Sequence, residues 1–572
     1  MINNMKKIKI LGLSLLVVLL SVTACKDEFL DVAPQGSLGS TELSSLAGLE
    51  GSLIASYSML LGRSGFYADV SNWFWGSVLG GEANKGTDPG DQSQVNEIQS
   101  YSPQTNNGSV LEKYRASYEG VARCNSTLKL VALATTVSDA DKTKIEAETR
   151  FLRGVYYFEL KKNFNNTPYV DENWDEVAEV GNRDDLWPFI EADFTFAKDN
   201  LPATQGEAGR ANKWAATAFL GKALLYQGKF GEAKDIFNDV INNGVTANGA
   251  AYDLLPYYAD AFRSTNDNSQ ESVFASQAAA GTGSIENANA GMVLNFPNGP
   301  VGPGCCGFFQ PSFELANSFR TDASGFPLLD GSYNDASNEL ANDQGLAAAD
   351  PFTPDAGNLD PRIDHSIGRR GLPYLDWGIH PGITWIRNQA YGGPFSPKKF
   401  IYYLSGAGVE NDVSSWTPGY TALNYNLIRF ADVLLMGAEA ELEAGSLDKA
   451  AEYIDRVRTR AANSLVLDTN GDPAANYVIS NYGSFGSKDA ARTALRMERK
   501  LELSGEGHRK YDLVRWGIAT ETLNAYIDHE NALLDGPFVT ASFSTNQDEY
   551  LPIPQNEIDL LGADVLVQNP GY

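Results

Sequence analysis

LIRFADVLLMGAEAELEAGSLDKAAEYIDRVRTRAA, Leu427 to Ala462, is the stretch that decides the fold. Leu427, Ala431, Leu434, Leu435, Ala438 and Leu442 recur at the spacing of one helical face. Gly445 and Ser446 then break the run, and Leu447, Ala450, Ile454, Val457 and Ala461 resume it. The spacing predicts two helices folded back on each other, with Ala438 and Ala450 where they approach closely. One hairpin cannot cover its own apolar face, so others are expected to stack on it.

A second copy lies far upstream. In Lys213 to Val245, setting Gly228-Lys229-Phe230 against Gly445-Ser446-Leu447 superposes Ala233 on Ala450 and Phe237 on Ile454, with Leu220-Gly221 in the preceding helix. These are the offsets of a tetratricopeptide (TPR) unit. The expected fold class is therefore mainly α, a TPR-like scaffold of helical hairpins carrying a large loop-rich insertion. Further helices are read over Leu43 to Leu61, Leu111 to Ala134, Asp141 to Asn163 and Asp184 to Asn200. Two short ones are read around Gly505 and Gly507, where Arg499, Glu502, Glu506, Arg509, Asp512 and Arg515 alternate in sign. That alternation is the pattern of a structural salt-bridge lattice.

Between the two copies, Gly, Pro, Asn and Asp are scattered among Phe308, Phe309, Trp377, Trp385, Tyr391 and Trp416 with little helical period. Long ordered loops on a helical scaffold carry function more often than the scaffold does. The expected organisation is a secretory leader over 1–24, a lipidated N-terminus and tether over 25–42, and one compact domain from 43 to 572. Within that domain 43–243 is a helical part, 244–423 the loop-rich part and 424–572 a second helical part.

The leader rests on Lys6, Lys7 and Lys9 ahead of the apolar run Ile10 to Leu20, followed by Val22-Thr23-Ala24-Cys25, a bacterial lipobox. The run is too short to span a bilayer, so the mature chain is expected to be held by acyl chains on Cys25. Each buried methylene contributes about 0.8 kcal/mol, which makes two chains a stable anchor.

Formal net charge is −28, falling to about −31 without the three leader lysines, and such a surface repels nucleic acid. At 43% hydrophobic residues the chain has ample material for a core. Cys25, Cys124 and the adjacent Cys305-Cys306 form no disulfide framework and no CxxC, so neither a metal site nor a cofactor is expected. Asp468 to Pro473, DTNGDP, departs from the spacing of an EF-hand. His365, His380, His508 and His529 form no cluster, and His380 before Pro381 reads as a hydrogen-bonded loop residue. GxSxG, HExxH, Walker A and post-strand GxGxxG patterns are all missing. No catalytic residues are assigned, although a pair of carboxylates for glycoside hydrolysis has no sequence signature to exclude.

With these pieces in order the sequence resembles the SusD/RagB family of surface glycan-binding lipoproteins of Bacteroidota. The resemblance is carried by Cys25-Lys26-Asp27, AETRFLRGVYYFELKKNFNNTPYV (Ala147 to Val170), NLIRFADVLLMGAEAELEAG, ERKLELSGEGHRKYDLVRWG, LPIPQNEI and QNPGY. Lys26-Asp27-Glu28 resembles that group's surface-export signal, though an acidic solvated tether would read the same. The resemblance implies an oligosaccharide site on the loop-rich part and a partner, a SusC-type TonB-dependent outer-membrane transporter that the lipoprotein caps. A TPR docking module without glycan binding and a glycoside hydrolase are the alternatives.

Sugar recognition pairs an aromatic face, which takes the apolar side of the ring, with amide, carboxylate or guanidinium groups for the hydroxyls. Asn72, Trp73, Trp75, Asn84 and Lys85 offer that mixture in one stretch, with core tryptophans as the alternative. Gly302 to Phe309 sets Cys305 and Cys306 among glycines ahead of Phe308; oxidised, the pair would present a rigid apolar face. The expectation is that this face and Phe308 lie beside Trp73 and Trp75, with Tyr374, Trp377 and Trp385 as the other place for the site. The acidic balance favours a neutral polymer unless Arg369, Arg370 and Arg387 gather locally.

Overall fold

The computed structural model describes residues 39–174, 177–299 and 302–572. The leader, Cys25 and nearly all of the tether thus lie outside the described residues. The helical array starts with α1 (Leu46–Ser58), α2 (Gly108–Leu133), α3 (Asp139–Phe164), α4 (Trp187–Asn200), α5 (Lys213–Tyr226) and α6 (Phe230–Asn243). After the loop-rich excursion it continues with α7 (Phe430–Ala444), α8 (Leu447–Ala462) and α9 (Lys488–Glu502), then α10 (Arg509–Arg515), α11 (Ala519–Asn531) and α12 (Gln555–Leu561).

Local chemistry sets the helix ends. Asn107, Ser138, Asn212, Ser446 and Ser487 each cap a helix by accepting a backbone N–H two or three residues on. In α3, Asp139 and Asp141 occupy the first turn and Lys161 and Lys162 the last, complementing the helix dipole.

From α1 to α8 the helices pack in succession, and α6 lies against α7, which seats the two TPR-like hairpins side by side. Ala233, Phe237, Ala438, Ala450 and Ile454 are all fully buried there. Gly221 of α5 makes the crossing possible. A methyl group on it would stand 2.9 Å from both Ile236 Cγ2 and Phe237 Cε1, so only hydrogen fits.

Two expectations change. Leu427 is not helical: Tyr425–Arg429 is a strand that pairs antiparallel with Ser272–Ser276, and helix begins only at Phe430. Ser71 to Gln92, whose Gly, Asn and Asp content reads as a loop, is not a plain one, because Trp73–Val78 winds as a short π-helical turn and Ala83–Gly86 pairs antiparallel with Phe308–Pro311. Both changes serve the core, since strand 425–429 and turn 73–78 lie under the loop-rich part.

The charge alternation read around Gly505 is a buried lattice. Arg429 reaches Glu271 (2.8 Å), Glu502 (2.7 Å) and Glu506 (2.7 Å), and Arg362 reaches Asp360 (2.7 Å), Glu498 (2.5 Å) and Glu502 (3.1 Å). Arg460 also holds Glu502, Lys399 holds Glu506 (2.8 Å), and Arg499 joins Asp432 (2.8 Å) to Asp512 (2.8 Å). Each buried charge is matched by opposite charge and hydrogen bonds, the condition under which such groups are tolerated.

Candidate functional site

The stretch expected to form the ligand platform is interior. Trp73 and Trp75 are each 1% exposed, and their indole N–H groups donate to Phe66 O (2.9 Å) and Tyr67 O (2.6 Å). Phe308, fully buried, does stand beside Trp73, edge-on at 6.4 Å, but as core packing. Asn72 donates to Val70 O and Glu159 and accepts from Tyr511. Asn84 donates to Glu530 (3.1 Å) and accepts from Tyr526 (3.0 Å). Lys85 points inward to Asp88 O, Asp91 O and Asn96 Oδ1, and burial lowers its pKa to about 8. An indole enclosed on both faces, with its N–H satisfied by backbone, has no face left for a ligand, and the amides and the ammonium beside it are taken by protein partners.

A second, smaller apolar cluster lies within the loop-rich part, built from Phe296, Tyr374, Trp385, Ile401 and Tyr402, with Leu375 and Trp377 against it. Tyr374 is fully buried and Trp385 only 5% exposed, so these two form the floor. Trp377 is half-buried, its N–H donating to Tyr402 O (3.0 Å), its ring edge-on to Tyr402 at 5.5 Å.

Two loops meet on the Phe296 ring. A methyl on Gly304 would fall 2.8 Å from that ring, and one on Gly419 3.1 Å from it. The first loop leads into Cys305–Cys306, bonded to each other as a vicinal disulfide and half-exposed. The second carries Trp416, which is 60% exposed and donates to Tyr420 OH (3.3 Å).

Polar groups border the bridge. Gly307, at φ +81° and so suited to glycine, places Asn298 and Arg387 next to it; a methyl there would lie 3.2 Å from Asn298 Cβ and 3.7 Å from Arg387 Cβ. Arg387 is ion-paired through Nε with Asp88 (2.8 Å) and donates from Nη1 to Asp91 (2.5 Å) and Thr87 (3.0 Å). Around the Phe296 cluster the loops thus offer an exposed indole, a half-buried one, an apolar sulfur bridge, an amide and an Arg–carboxylate cluster. Asn298 was not named from the sequence, which offered Trp416 only among the aromatics of the loop-rich part and Arg387 only as a cation that could gather with Arg369 and Arg370. The available signal was Trp416 in the turn-forming run VSSWTPG, where polar neighbours leave an indole nothing to pack against.

His365, His380 and His508 are buried, and desolvation lowers their pKa to about 4, 3 and 3, so they are neutral at pH 7. His380 is a hydrogen-bonded loop residue, 2.9 Å from Ser396 Oγ. Asp468 turns its carboxylate onto the N–H groups of Asn470 and Asp472. Among the described residues no three His, Cys, Asp or Glu side chains are disposed to hold a metal ion, and no helix is long and apolar enough to cross a membrane. A roomier cleft, about 640 Å³, is lined by Tyr118, Trp174 and Leu560 on the helical array and shares no residue with the loop-rich face.

A family model described as the SusD family matches residues 270–572, and one described as starch-binding, associating with the outer membrane, matches residues 28–225. SusD-like protein P2 of Formosa agariphila is 25% identical, covering 99% of this chain and 100% of its own. Starch-binding protein SusD of Bacteroides thetaiotaomicron is 23% identical over 76% of this chain and 74% of its own. Among solved structures, a SusD superfamily protein from Bacteroides vulgatus superposes with a TM-score of 0.68 at 21% identity, covering 93% of this chain and all of its own. A laminarin-binding SusD-like protein gives 0.64 at 24% identity, covering 92% and 99%. At these identities the superpositions speak for the fold.

Proposed function

Because the chain belongs to the SusD family, we propose that it is a non-catalytic glycan-binding lipoprotein, anchored through Cys25 to the outer membrane and displayed at the cell surface. In this reading residues 244–423 hold the oligosaccharide and pass it to a SusC-type TonB-dependent transporter. The relatives support the ligand class: one neighbour is titled laminarin-binding, and another, surface glycan-binding protein A of Bacteroides thetaiotaomicron, was solved with laminarihexaose. The lipobox and a family model described as associating with the outer membrane support the location.

The observation that carries the reading is the exposed Trp416 on the loop that meets the Cys305–Cys306 loop over Phe296. An aromatic or sulfur-lined apolar surface takes the C–H face of a pyranose, while Asn298 and the Arg387 cluster lie within reach of its hydroxyls. Trp377 extends the apolar surface at its edge. Trp73, Trp75, Asn84 and Lys85 act from beneath, as the packing on which strand 308–311 rests. Binding rather than turnover is the reading, because the carboxylates beside the bridge, Asp88 and Asp91, are held in ion pairs with Arg387 instead of facing each other across a groove.

Calorimetry with polysaccharides tests it. Trp416→Ala should weaken glycan binding by roughly 2 kcal/mol, about thirtyfold, with an unchanged melting temperature, and Cys305→Ser with Cys306→Ser should weaken it too. Unaltered affinity in both variants would remove the site from this face. Recovery of a TonB-dependent barrel with the native lipoprotein from mild detergent is the matching test of the partner.

A further inference from the structure

We infer that the loop-rich face accepts an uncharged polysaccharide, and that Asp88 and Asp91 enforce this by occupying Arg387, the cation beside the disulfide. The inference rests on the glycan-binding reading of that face and adds a chemical class to it.

A glycan carrying uronate or sulfate groups is held by guanidinium or ammonium groups with N–H bonds to spare. The arginines that could have gathered for that purpose are engaged elsewhere. Arg369 is buried in a two-pronged pair with Asp364 (2.9 and 2.7 Å). Arg370 donates to the backbone oxygens of Ala347, Ala348 and Asp350. Lys398 donates to Pro373 O (2.7 Å), Lys399 belongs to the Glu506 lattice, and Arg263 lies over the Tyr403 ring at 4.1 Å.

That leaves Arg387, 40% exposed at its side chain and adjacent to Gly307, and it is ion-paired to two carboxylates, with Asp88 through Nε (2.8 Å) and with Asp91 through Nη1 (2.5 Å). The carboxylates are themselves fixed. Asp88 Oδ1 accepts from the N–H groups of Gly90 and Asp91, and Thr87 donates its hydroxyl to Asp91 Oδ2. Lys85 ties down the same turn from inside through Asp88 O and Asp91 O. Two carboxylates balance the Arg387 guanidinium and the Lys85 ammonium, so the turn keeps no net positive charge with which to hold a polyanion within a Debye length of about 8 Å at physiological salt.

Asparagine at 88 and 91 keeps an amide oxygen for the turn while freeing Arg387. Affinity electrophoresis of the whole protein would compare laminarin, xylan, starch and galactomannan with polygalacturonate, alginate and carrageenan. Wild type should be retarded by a neutral polymer and by none of the anionic ones, with little dependence on salt. D88N/D91N should gain about tenfold affinity for an anionic polymer at low salt, and the gain should vanish at high salt or on adding R387Q. D91N alone gives the same readout should the double variant not fold. Retardation of wild type by an anionic polymer, or no gain in D88N/D91N and D91N, would overturn the inference while leaving glycan binding intact. Retardation by no polymer at all would overturn the glycan-binding reading, and this inference with it.

Discussion

His380 shows how far a single side chain could be read in advance. Its place before Pro381 predicted a loop residue bound by hydrogen bonds, and Nδ1 accepts from the N–H of Gly382 (3.1 Å) while Nε2 faces Ser396 Oγ. Burial and then the charge of Lys398 lower its pKa to about 3, below the unfolded value of about 6.5. The unfolded chain therefore takes up the proton first. This stabilising contribution is complete above pH ~6.5 and is lost as pH falls toward 3, at about 1.4 kcal/mol per pH unit. Urea melts of His380→Gln should show a flatter decline between about pH 6.5 and 4.5 than wild type; parallel declines would contradict a neutral buried imidazole. Trp73 and Trp75 mark the opposite case. Indoles among Asn and Lys look alike whether the polar groups serve a ligand or one another, and only packing separates the two. Here Glu159, Glu530 and backbone oxygens take those polar groups.

At the scale of elements the helices were legible because a 3.6-residue period repeated over several turns leaves little choice of face. Strand 425–429 was not, because Leu427 and Ile428 satisfy the period of a helix as well as that of a strand. The pairing that decides the matter, Ser276 opposite Tyr425, comes from far along the chain. Two glycines test the packing of the array in opposite directions. Gly221→Ala in α5 would drive a methyl into Ile236 and Phe237 and should destabilise by about 1–3 kcal/mol. Gly51→Ala in α1 meets nothing within 4 Å and should stabilise by about 0.5–1 kcal/mol. Thermal denaturation of both, with shifts of the same sign, would contradict this account of the hairpin crossing.

For the molecule as a whole, the lattice centred on Arg429 matters most, since it draws on strand 425–429, α8, α9 and the loop-rich part at once. Its sign pattern was visible in the sequence around Gly505, but its partners Glu271, Arg362 and Lys399 were not, because they arrive from other elements. Arg429→Met would leave Glu271, Glu502 and Glu506 crowded without their shared cation, at a cost of about 3–5 kcal/mol. Far-ultraviolet circular dichroism and tryptophan fluorescence should follow one transition, shifted equally in the variant. A variant whose two signals separate would show that the helical array and the loop-rich part fold independently. The overall architecture was thus readable from repeats, whereas the proposed ligand face was not: Asp88, Asn298, Arg387 and Trp416 share no common period or motif.

The pairing of Ser276 with Tyr425 also means that everything from residue 277 to 424 leaves the helical array and returns to it through one doorway. A segment whose ends already touch can grow or shrink at little thermodynamic cost, since doubling a loop adds only about 0.6 kcal/mol of closure entropy. Insertions here leave the register of α6 against α7 untouched. Most of the surface proposed to meet the glycan can therefore be exchanged as a cassette while the frame that carries it is inherited unchanged.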